Sequence, residues 1–212
     1  MTRDTARRIA GFYVFILVFT AFPAAQQQDV AGETTRLIEK LKVGPSSTVA
    51  DIGAGAGQVT AELSKQLGGD ARIYATDVNE KTLAGLRELV ASRKLENVTV
   101  QAGEFEATAL PERCCDAMFV RNVYHHFGNP KAMNASIFRT LKPGGRFAVM
   151  DGFISGKPVP LHVPPPQRSS GDTHGVSREA VVEELQAAGF RIVEVIPDWT
   201  ADSFMVLAER PS

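Results

Sequence analysis

The sequence predicts an α/β protein with one doubly wound, mostly parallel sheet of seven strands. Three observations carry this prediction. A short apolar strand, Thr48–Ile52, runs into a glycine-rich turn and then into a helical pattern, an order typical of the first strand of an open α/β sheet. Strand and helix patterns then alternate towards the end of the chain. The last two strands are joined by a short connection over residues 197–202, so they must be antiparallel.

Residues 1–25 predict a secretory signal peptide or a membrane anchor, which leaves residues 26–212 as the folded domain. Three arginines precede an uncharged run over residues 9–22, and a Pro-Ala-Ala sequence follows it. A basic start, an apolar centre of this length and small residues afterwards are typical of a signal peptide. The run is short for a membrane span, but the residues after it would extend it into an uncleaved anchor.

Length and composition indicate one globular domain. The chain has 212 residues, of which 44% are hydrophobic and 22% charged, and a chain of this size buries a full core. Its net charge of −1 provides no basic stripe, so no nucleic-acid partner is predicted. Cys114 and Cys115 are neighbours, which rarely bridge without strain. We expect packed thiols; a reactive or metal-binding pair is the alternative.

Apolar residues at helical spacing predict five helices. In the first, Val30, Leu37 and Leu41 share one face, and a Gly-Pro pair ends the helix. The next helix ends in the same way, at a pair of glycines. The predicted helices cover residues 30–41, 60–67, 80–91, 131–141 and 178–188.

Short apolar runs between turn residues predict the strands. They cover residues 48–52, 72–76, 98–101, 116–120, 146–150, 191–196 and 203–208. The Lys-Pro-Gly-Gly sequence at 142–145 predicts a turn before the fifth strand. The proline-rich segment 154–176 has no apolar period, which predicts a loop. Because it follows the fifth strand, we expect it to lie over the mouth of a ligand pocket at the ends of the strands. It is either a substrate lid or a disordered surface loop.

The glycine-rich turn carries the first chemical information. It has the pattern D-x-G-x-G-x-G, formed by Asp51, Gly53, Gly55 and Gly57. Glycines allow the backbone to bend tightly and to lie close to a ligand, and the start of the next helix adds free amides. The dinucleotide fingerprint G-x-G-x-x-G/A does not fit from either possible starting glycine. The turn therefore predicts a nucleotide-type pocket without a pyrophosphate.

This turn resembles the first motif of the class I S-adenosylmethionine (SAM)-dependent methyltransferases, in which the glycines pass beneath the amino-acid part of the cofactor. SAM carries an ammonium and a sulfonium and no phosphate, so the acidic Asp51 suits it. The resemblance covers about residues 30–210 and implies a Rossmann-like sheet that ends in a reversed strand. It implies that Asp51, Gly53, Gly55 and Gly57 bind SAM.

The next two strand ends fit the adenosine part of SAM. Asp77 follows the second strand, 20 residues after Gly57, where a carboxylate can accept hydrogen bonds from both ribose hydroxyls. Its alternative role is to cap the following helix. After the third strand, the resemblance implies that Glu104 contacts the adenine amino group, in place of the family's usual aspartate. Phe105 either stacks on adenine or packs in the core.

The fourth strand leads into Arg121, Asn122, Tyr124, His125 and His126. Several small-molecule methyltransferases of this class carry a similar Asn and His-His pair, so the resemblance implies that Arg121 and Asn122 lie beside the cofactor. Adjacent histidines point in different directions, and we expect one to reach the substrate. His125, His126 and Tyr124 are the predicted catalytic residues, although a structural role remains the alternative for each. The two other histidines give no recognised metal-binding spacing, so no metal is predicted.

The predicted function is transfer of the SAM methyl group to a small-molecule acceptor, which requires mainly alignment of the reacting atoms. A nicotinamide-dependent oxidoreductase and a non-catalytic SAM-binding or membrane-anchored interaction module are the alternatives. The predicted location is in conflict, because the N-terminus indicates export or anchoring whereas SAM is used mainly inside cells. The sequence does not identify the acceptor or the oligomeric state.

Overall fold

The computed structural model describes residues 29–152, 160 and 163–212. Their strands form one seven-stranded sheet in the order β3-β2-β1-β4-β5-β7-β6. The strands are β1 Thr48–Ile52, β2 Arg72–Asp77, β3 Val98–Ala102, β4 Cys115–Arg121, β5 Leu141–Gly152, β6 Arg191–Thr200 and β7 Ser203–Glu209. The helices are α1 Val30–Leu41, α2 Gln58–Leu67, α3 Glu80–Arg93, α4 Pro130–Thr140 and α5 Arg178–Ala187.

The sheet has the predicted mixture of strand directions. Strands β1 to β5 pair in parallel with their neighbours, whereas β7 is antiparallel to both β5 and β6. The strand order reverses between β1 and β4, and open α/β sheets bind their ligands at such a switch point. The prediction of a mostly parallel sheet with a reversed C-terminal strand is confirmed.

Helices cover both faces of the sheet, because side chains alternate along each strand. Met118 and Val120 of β4 belong to the core that packs against α4 and α5. Ala117 and Phe119 of the same strand belong to the opposite core, which packs against α1 and α2. All four side chains are fully buried. β4 is the central strand of the sheet, so its carboxyl end lies at the middle of the edge where the parallel strands end.

Two strands, β5 and β6, extend beyond their predicted bounds by four or more residues at one end. β5 begins at Leu141 rather than at 146, because Leu141 pairs with Cys115 before a register shift carries the pairing to Ala117 and Arg146. β6 continues to Thr200, which pairs with Ser203. The connection predicted over residues 197–202 is therefore mostly strand. Pairing with a neighbouring strand decides both cases, and local sequence does not specify it.

Cys114 and Cys115 form a disulfide, which corrects the prediction of two free thiols. The pair stands at the start of β4. Arg113, just before it, has a φ of 53°, so the backbone turns sharply where the chain enters the strand. Residue type alone does not encode that bend.

The N-terminal prediction lies outside the described residues. None of the described helices is long and apolar enough to span a bilayer. Of the proline-rich segment, the described part 163–176 contains two short 3-10 helices, Pro165–Gln167 and Gly171–Thr173. Arg168 in this part is only 4% exposed and contacts Glu184 of α5 at 2.7 Å. This part of the segment packs on the domain and is not a disordered loop.

Candidate active site

A cavity of about 670 Å³ opens at the carboxyl ends of β1 to β4, at the switch point of the sheet. Pockets of roughly 300–1,000 Å³ typically enclose a small molecule. Its walls come from the glycine-rich turn, from the ends of β2 and β3, and from the segment after β4. The predicted site residues that line it are Asp51, Gly53, Gly55, Asp77, Glu104, Phe105, Arg121, Asn122 and His126.

The glycine-rich turn is fixed against the end of β2. The amides of Gly53 and Ala54 donate to the carbonyl of Thr76 at 2.9 and 2.8 Å. The amide of Gly55 donates to the Asp77 carboxylate at 3.2 Å. Gly55 has a φ of 55°, and a Cβ built on it would meet no atom within 4 Å. Its backbone therefore borders open space in the cavity, where a ligand can approach closely.

Asp77 belongs to the cavity and not to the helix after it. Asn79 caps α3, because its side chain accepts from the amides of Lys81 and Thr82. Asp77 accepts instead from the amides of Asn79, at 2.9 Å, and of Gly55. The alternative of Asp77 as the helix cap is therefore wrong, and its carboxylate is held at the rim by two backbone donors.

Asp51 is a buried carboxyl group, 3% exposed. The Thr60 hydroxyl donates to it at 2.6 Å. Burial raises the pKa of Asp51 from 3.8 to about 7; the Thr60 hydrogen bond and the charge of Arg121 lower it, and the charge of Asp77 raises it. A cation bound nearby would favour the ionised form of this group.

Glu104 and Phe105 form the outer wall after β3. The Phe105 side chain is 77% exposed, so the alternative of core packing is wrong. An exposed aromatic ring beside a cavity provides a face on which a planar base can stack.

Arg121 pairs with Glu33 of α1 above the cavity. Its Nε donates to both Glu33 oxygens at 3.1 Å, and another guanidinium nitrogen donates at 3.0 Å. The indole nitrogen of Trp199 donates to the same carboxylate at 3.0 Å. Asn122 has a φ of 56°, and its backbone N–H donates to the Met150 carbonyl at 2.8 Å. The wall after β4 is thus attached to α1, β5 and β6.

Tyr124 does not face the cavity, contrary to its predicted catalytic position. The residue is fully buried, since it packs in the core below α4 and α5. Its hydroxyl donates to Glu184 at 2.9 Å and accepts from Asn134 at 2.7 Å. Burial and the Glu184 charge raise the pKa of Tyr124 well above its usual value. These contacts describe a structural hydroxyl.

The two adjacent histidines diverge as expected. His125 is 2% exposed, and its Nδ1 lies 2.9 Å from a carboxylate oxygen of Asp151. His126 lines the cavity. Desolvation lowers the pKa of His126, the neighbouring His125 and His174 lower it further, and Asp151 raises it. The third ring, of His174, joins them from the segment before α5.

Comparisons with known proteins identify the family. Residues 50–149 match the family model of a methyltransferase domain. An arsenite methyltransferase of Halobacterium salinarum is 28% identical over 74% of this chain and 43% of its own length. A ubiquinone/menaquinone biosynthesis C-methyltransferase of Shewanella pealeana is 29% identical over 54% of this chain and 46% of its own. The matched part thus spans less than half of either curated relative.

A solved SAM-dependent methyltransferase of Aquifex aeolicus superposes with a TM-score of 0.70 at 26% identity, covering 83% of this chain and 88% of that structure. The matched domain, the relatives and the fold together support a class I SAM-dependent methyltransferase. This assignment replaces the nicotinamide alternative.

The methyltransferase cavity fits SAM, the cofactor of the family. Among the described residues that line it, Asp51, Asp77 and Glu104 are acidic, and Arg121 is the one arginine or lysine. Because Arg121 already pairs with Glu33, the wall favours a cation over a phosphate. The open space at Gly55 agrees with a ligand that passes over the turn.

Sequence reasoning missed several residues around this methyltransferase site. Glu33 is only 6% exposed and had one available signal, because it lies four residues before Leu37 on the apolar face of α1. Trp199 had no such signal, since the sequence predicted a connection over residues 197–202. Asp151 and His174 could be noticed one by one, but their contact with His125 is formed only in the folded chain.

Gly57 has a different role from the one predicted. It precedes α2 with a φ of 72° and is not among the residues that line the cavity. A Cβ built on it would lie 2.6 Å from Leu89 and 2.7 Å from Leu86. Gly57 therefore allows α2 and α3 to approach each other.

Proposed function

We propose that this chain transfers the methyl group of SAM to a small-molecule acceptor. The observation that carries the proposal is the acidic cavity at the switch point, with an open glycine turn on one side and an imidazole on the other. SAM supplies a methyl group already activated by the sulfonium charge. The contribution of the chain is to hold the two reactants in line and to exclude water.

In this proposal the residues from β1 to β3 bind the cofactor. Asp77 accepts hydrogen bonds from the ribose hydroxyls, because its carboxylate stands at the end of β2 and two backbone amides fix its orientation. Glu104 and Phe105 border the adenine, and Gly55 lies against the amino-acid part. Asp51 adds negative potential below the turn. Arg121 and Asn122 complete the rim, with Arg121 acting through its ion pair with Glu33.

The acceptor lies beside the segment after β4. His126, Phe127 and Met133 line that end of the cavity, so the space offers apolar contact and one imidazole. His126 contacts the acceptor. His125 positions the His126 ring from behind, and the centroids of the two rings are 4.0 Å apart. A concave space of this size favours a small molecule over a protein or nucleic-acid acceptor. The names of the two curated relatives, which concern arsenite and a quinone, agree with that class.

The test of cofactor binding is Asp77→Ala, measured by calorimetric titration with SAM. We expect the affinity to fall by roughly 100-fold or more, since hydrogen bonds to a charged group contribute about 1.5–3 kcal/mol each. Asp70→Ala is the matched control, because that carboxylate is exposed in the turn before β2. Unchanged SAM affinity in Asp77→Ala would contradict the assignment.

The test of catalysis is transfer of a labelled methyl group from SAM to a panel of small acceptors. We expect His126→Ala to lower turnover while calorimetry finds its SAM affinity preserved. SAM binding without transfer to any acceptor would favour the non-catalytic binding module instead.

A further inference from the structure

Three imidazoles meet at the acceptor end of the cavity. His125 and His126 follow β4, and His174 comes from the segment before α5. Each ring offers one nitrogen, and these three atoms lie within 4.8 Å of one another. Nε2 of His125 and Nε2 of His174 are 3.2 Å apart. Three imidazoles so arranged form a typical set of transition-metal ligands.

Asp151 determines which nitrogen of His125 points into the cluster. This buried carboxylate lies 2.9 and 3.0 Å from His125 Nδ1 and also accepts from the amides of His125 and Gly152. Because an ionised carboxylate can only accept, Nδ1 carries the proton and the lone pair of the neutral ring is at Nε2. A carboxylate behind a histidine is the usual arrangement for fixing the tautomer of a metal ligand.

The separation of two of the three nitrogens agrees with a shared ion. Zinc binds histidine nitrogen at about 2.0–2.1 Å in a tetrahedral arrangement, so two nitrogens on one ion lie about 3.3 Å apart. The 3.2 Å between Nε2 of His125 and Nε2 of His174 is close to that value. A direct hydrogen bond between the His125 and His174 rings explains the distance between these two nitrogens. It does not explain why the His126 ring lies beside them.

The segment that carries His174 is fastened to the rest of the site. Buried Arg168 donates to Glu184 of α5 and to the carbonyl of Val163. The Ser169 hydroxyl donates to the carbonyl of His125 at 3.3 Å. These contacts hold the segment over the two histidines, so little ordering is left for an ion to impose.

We propose that His125, His126 and His174 bind one divalent transition-metal ion of the zinc class, with Asp151 as the positioning residue behind His125. Three histidines leave the fourth tetrahedral position open, as in metal sites that bind an exchangeable ligand and unlike closed structural sites. His126 also lines the cavity, so the ion lies at its border, on the acceptor side. The proposal concerns metal binding and does not depend on methyl transfer.

The test uses the full chain without a polyhistidine tag, freed of metal by chelation. Titration with Co²⁺, followed by its visible absorption, is expected to give one ion per chain with the strong bands of a tetrahedral site. Zn²⁺ should displace the Co²⁺. We also expect Zn²⁺ to raise the melting temperature, because the folded state alone assembles the three ligands.

Variants separate this site from adventitious binding. His174→Ala is expected to weaken Co²⁺ binding more than Asp151→Asn, for which a loss of about 10–100-fold is typical of the outer partner of a metal-bound histidine. His162→Ala is the matched control, since it removes the remaining histidine of the chain and should keep the affinity. Circular dichroism checks that each variant is folded.

Two results would overturn the proposal. One is Co²⁺ bound by the wild type no more tightly than by folded His174→Ala. The other is a spectrum without tetrahedral bands. SAM titration of His174→Ala is measured in parallel and is expected to be unchanged, so a failed metal site and a failed cofactor site are distinguished.

Discussion

Asp51 and Asp151 are two buried aspartates near the carboxyl ends of parallel strands, and they differ in what surrounds them. Asp51 receives one hydroxyl hydrogen bond, from Thr60, and its pKa is raised to about 7. Asp151 receives two backbone amides and an imidazole. The first acid stands in a wall proposed to meet a cationic cofactor, which can compensate its charge. The second is compensated by the protein itself.

This difference extends to the two walls that contain them. The cofactor wall, formed by residues 51–56, 76–78 and 103–105, consists mostly of strand ends and the short turns directly after them. The acceptor wall, formed by His126, Phe127 and Met133 with His125, Asp151 and His174 behind it, joins parts of the chain that are distant in sequence. Local geometry therefore fixes the cofactor wall, whereas the acceptor wall depends on packing of the whole domain.

The largest expected effect concerns the buried carboxyl group of Asp51. Its pKa rises from 3.8 in the unfolded chain to about 7 in the fold. Between these values the unfolded state loses its proton first, so the free energy of unfolding falls as pH rises from about 4 to 7. At 1.36 kcal/mol per pKa unit, the total is about 4 kcal/mol. Asp51→Asn should remove this slope in chemical unfolding measured without SAM.

Thr60→Val sharpens that measurement. Removing the hydroxyl that stabilises the carboxylate should raise the pKa of Asp51 further, so the fall in the free energy of unfolding should extend to higher pH. The facing charges of Arg121 and Asp77 remain in both variants. A slope in Asp51→Asn equal to that of the wild type would break the contrast between the two aspartates.

The next effect concerns packing behind the cofactor wall. Gly57→Ala places a methyl group against Leu86 and Leu89 at a positive φ, which should lower the free energy of unfolding by about 2 kcal/mol. Gly85→Ala is the matched control, because a Cβ added to Gly85 in α3 would meet no atom within 4 Å. That variant should gain up to about 1 kcal/mol. Urea unfolding measures both, and a loss in Gly85→Ala would contradict the packing explanation.

The smallest effect separates structure from catalysis behind the acceptor wall. Tyr124→Phe removes a hydroxyl that bridges Glu184 and Asn134, so it should lower the free energy of unfolding by about 1–2 kcal/mol. Because the hydroxyl lies in the core, methyl transfer well below the melting temperature should be retained. Loss of turnover in the folded variant would restore Tyr124 as a catalytic residue.

Most of the fold and one wall of the site were predictable from the sequence. The bounds of α1 and β1 agree with the prediction residue for residue, and the glycine turn and Asp77 stand at the expected strand ends. Periodicity, turn residues and strand ends are local properties, and they act over a few residues. This also explains the misplacement of Tyr124, since the end of β4 could be located but not the direction of each side chain after it.

By itself the sequence determined the alternation of helices and strands, the reversed last strand and the acid-and-glycine turn, because each depends on neighbours along the chain. Only the tertiary structure decided the contact of His174 with His125, 49 residues apart. It also decided the burial of Glu33 beneath Arg121 and Trp199. Contacts of this kind depend on how whole elements pack and on which loops close, and no local pattern records either.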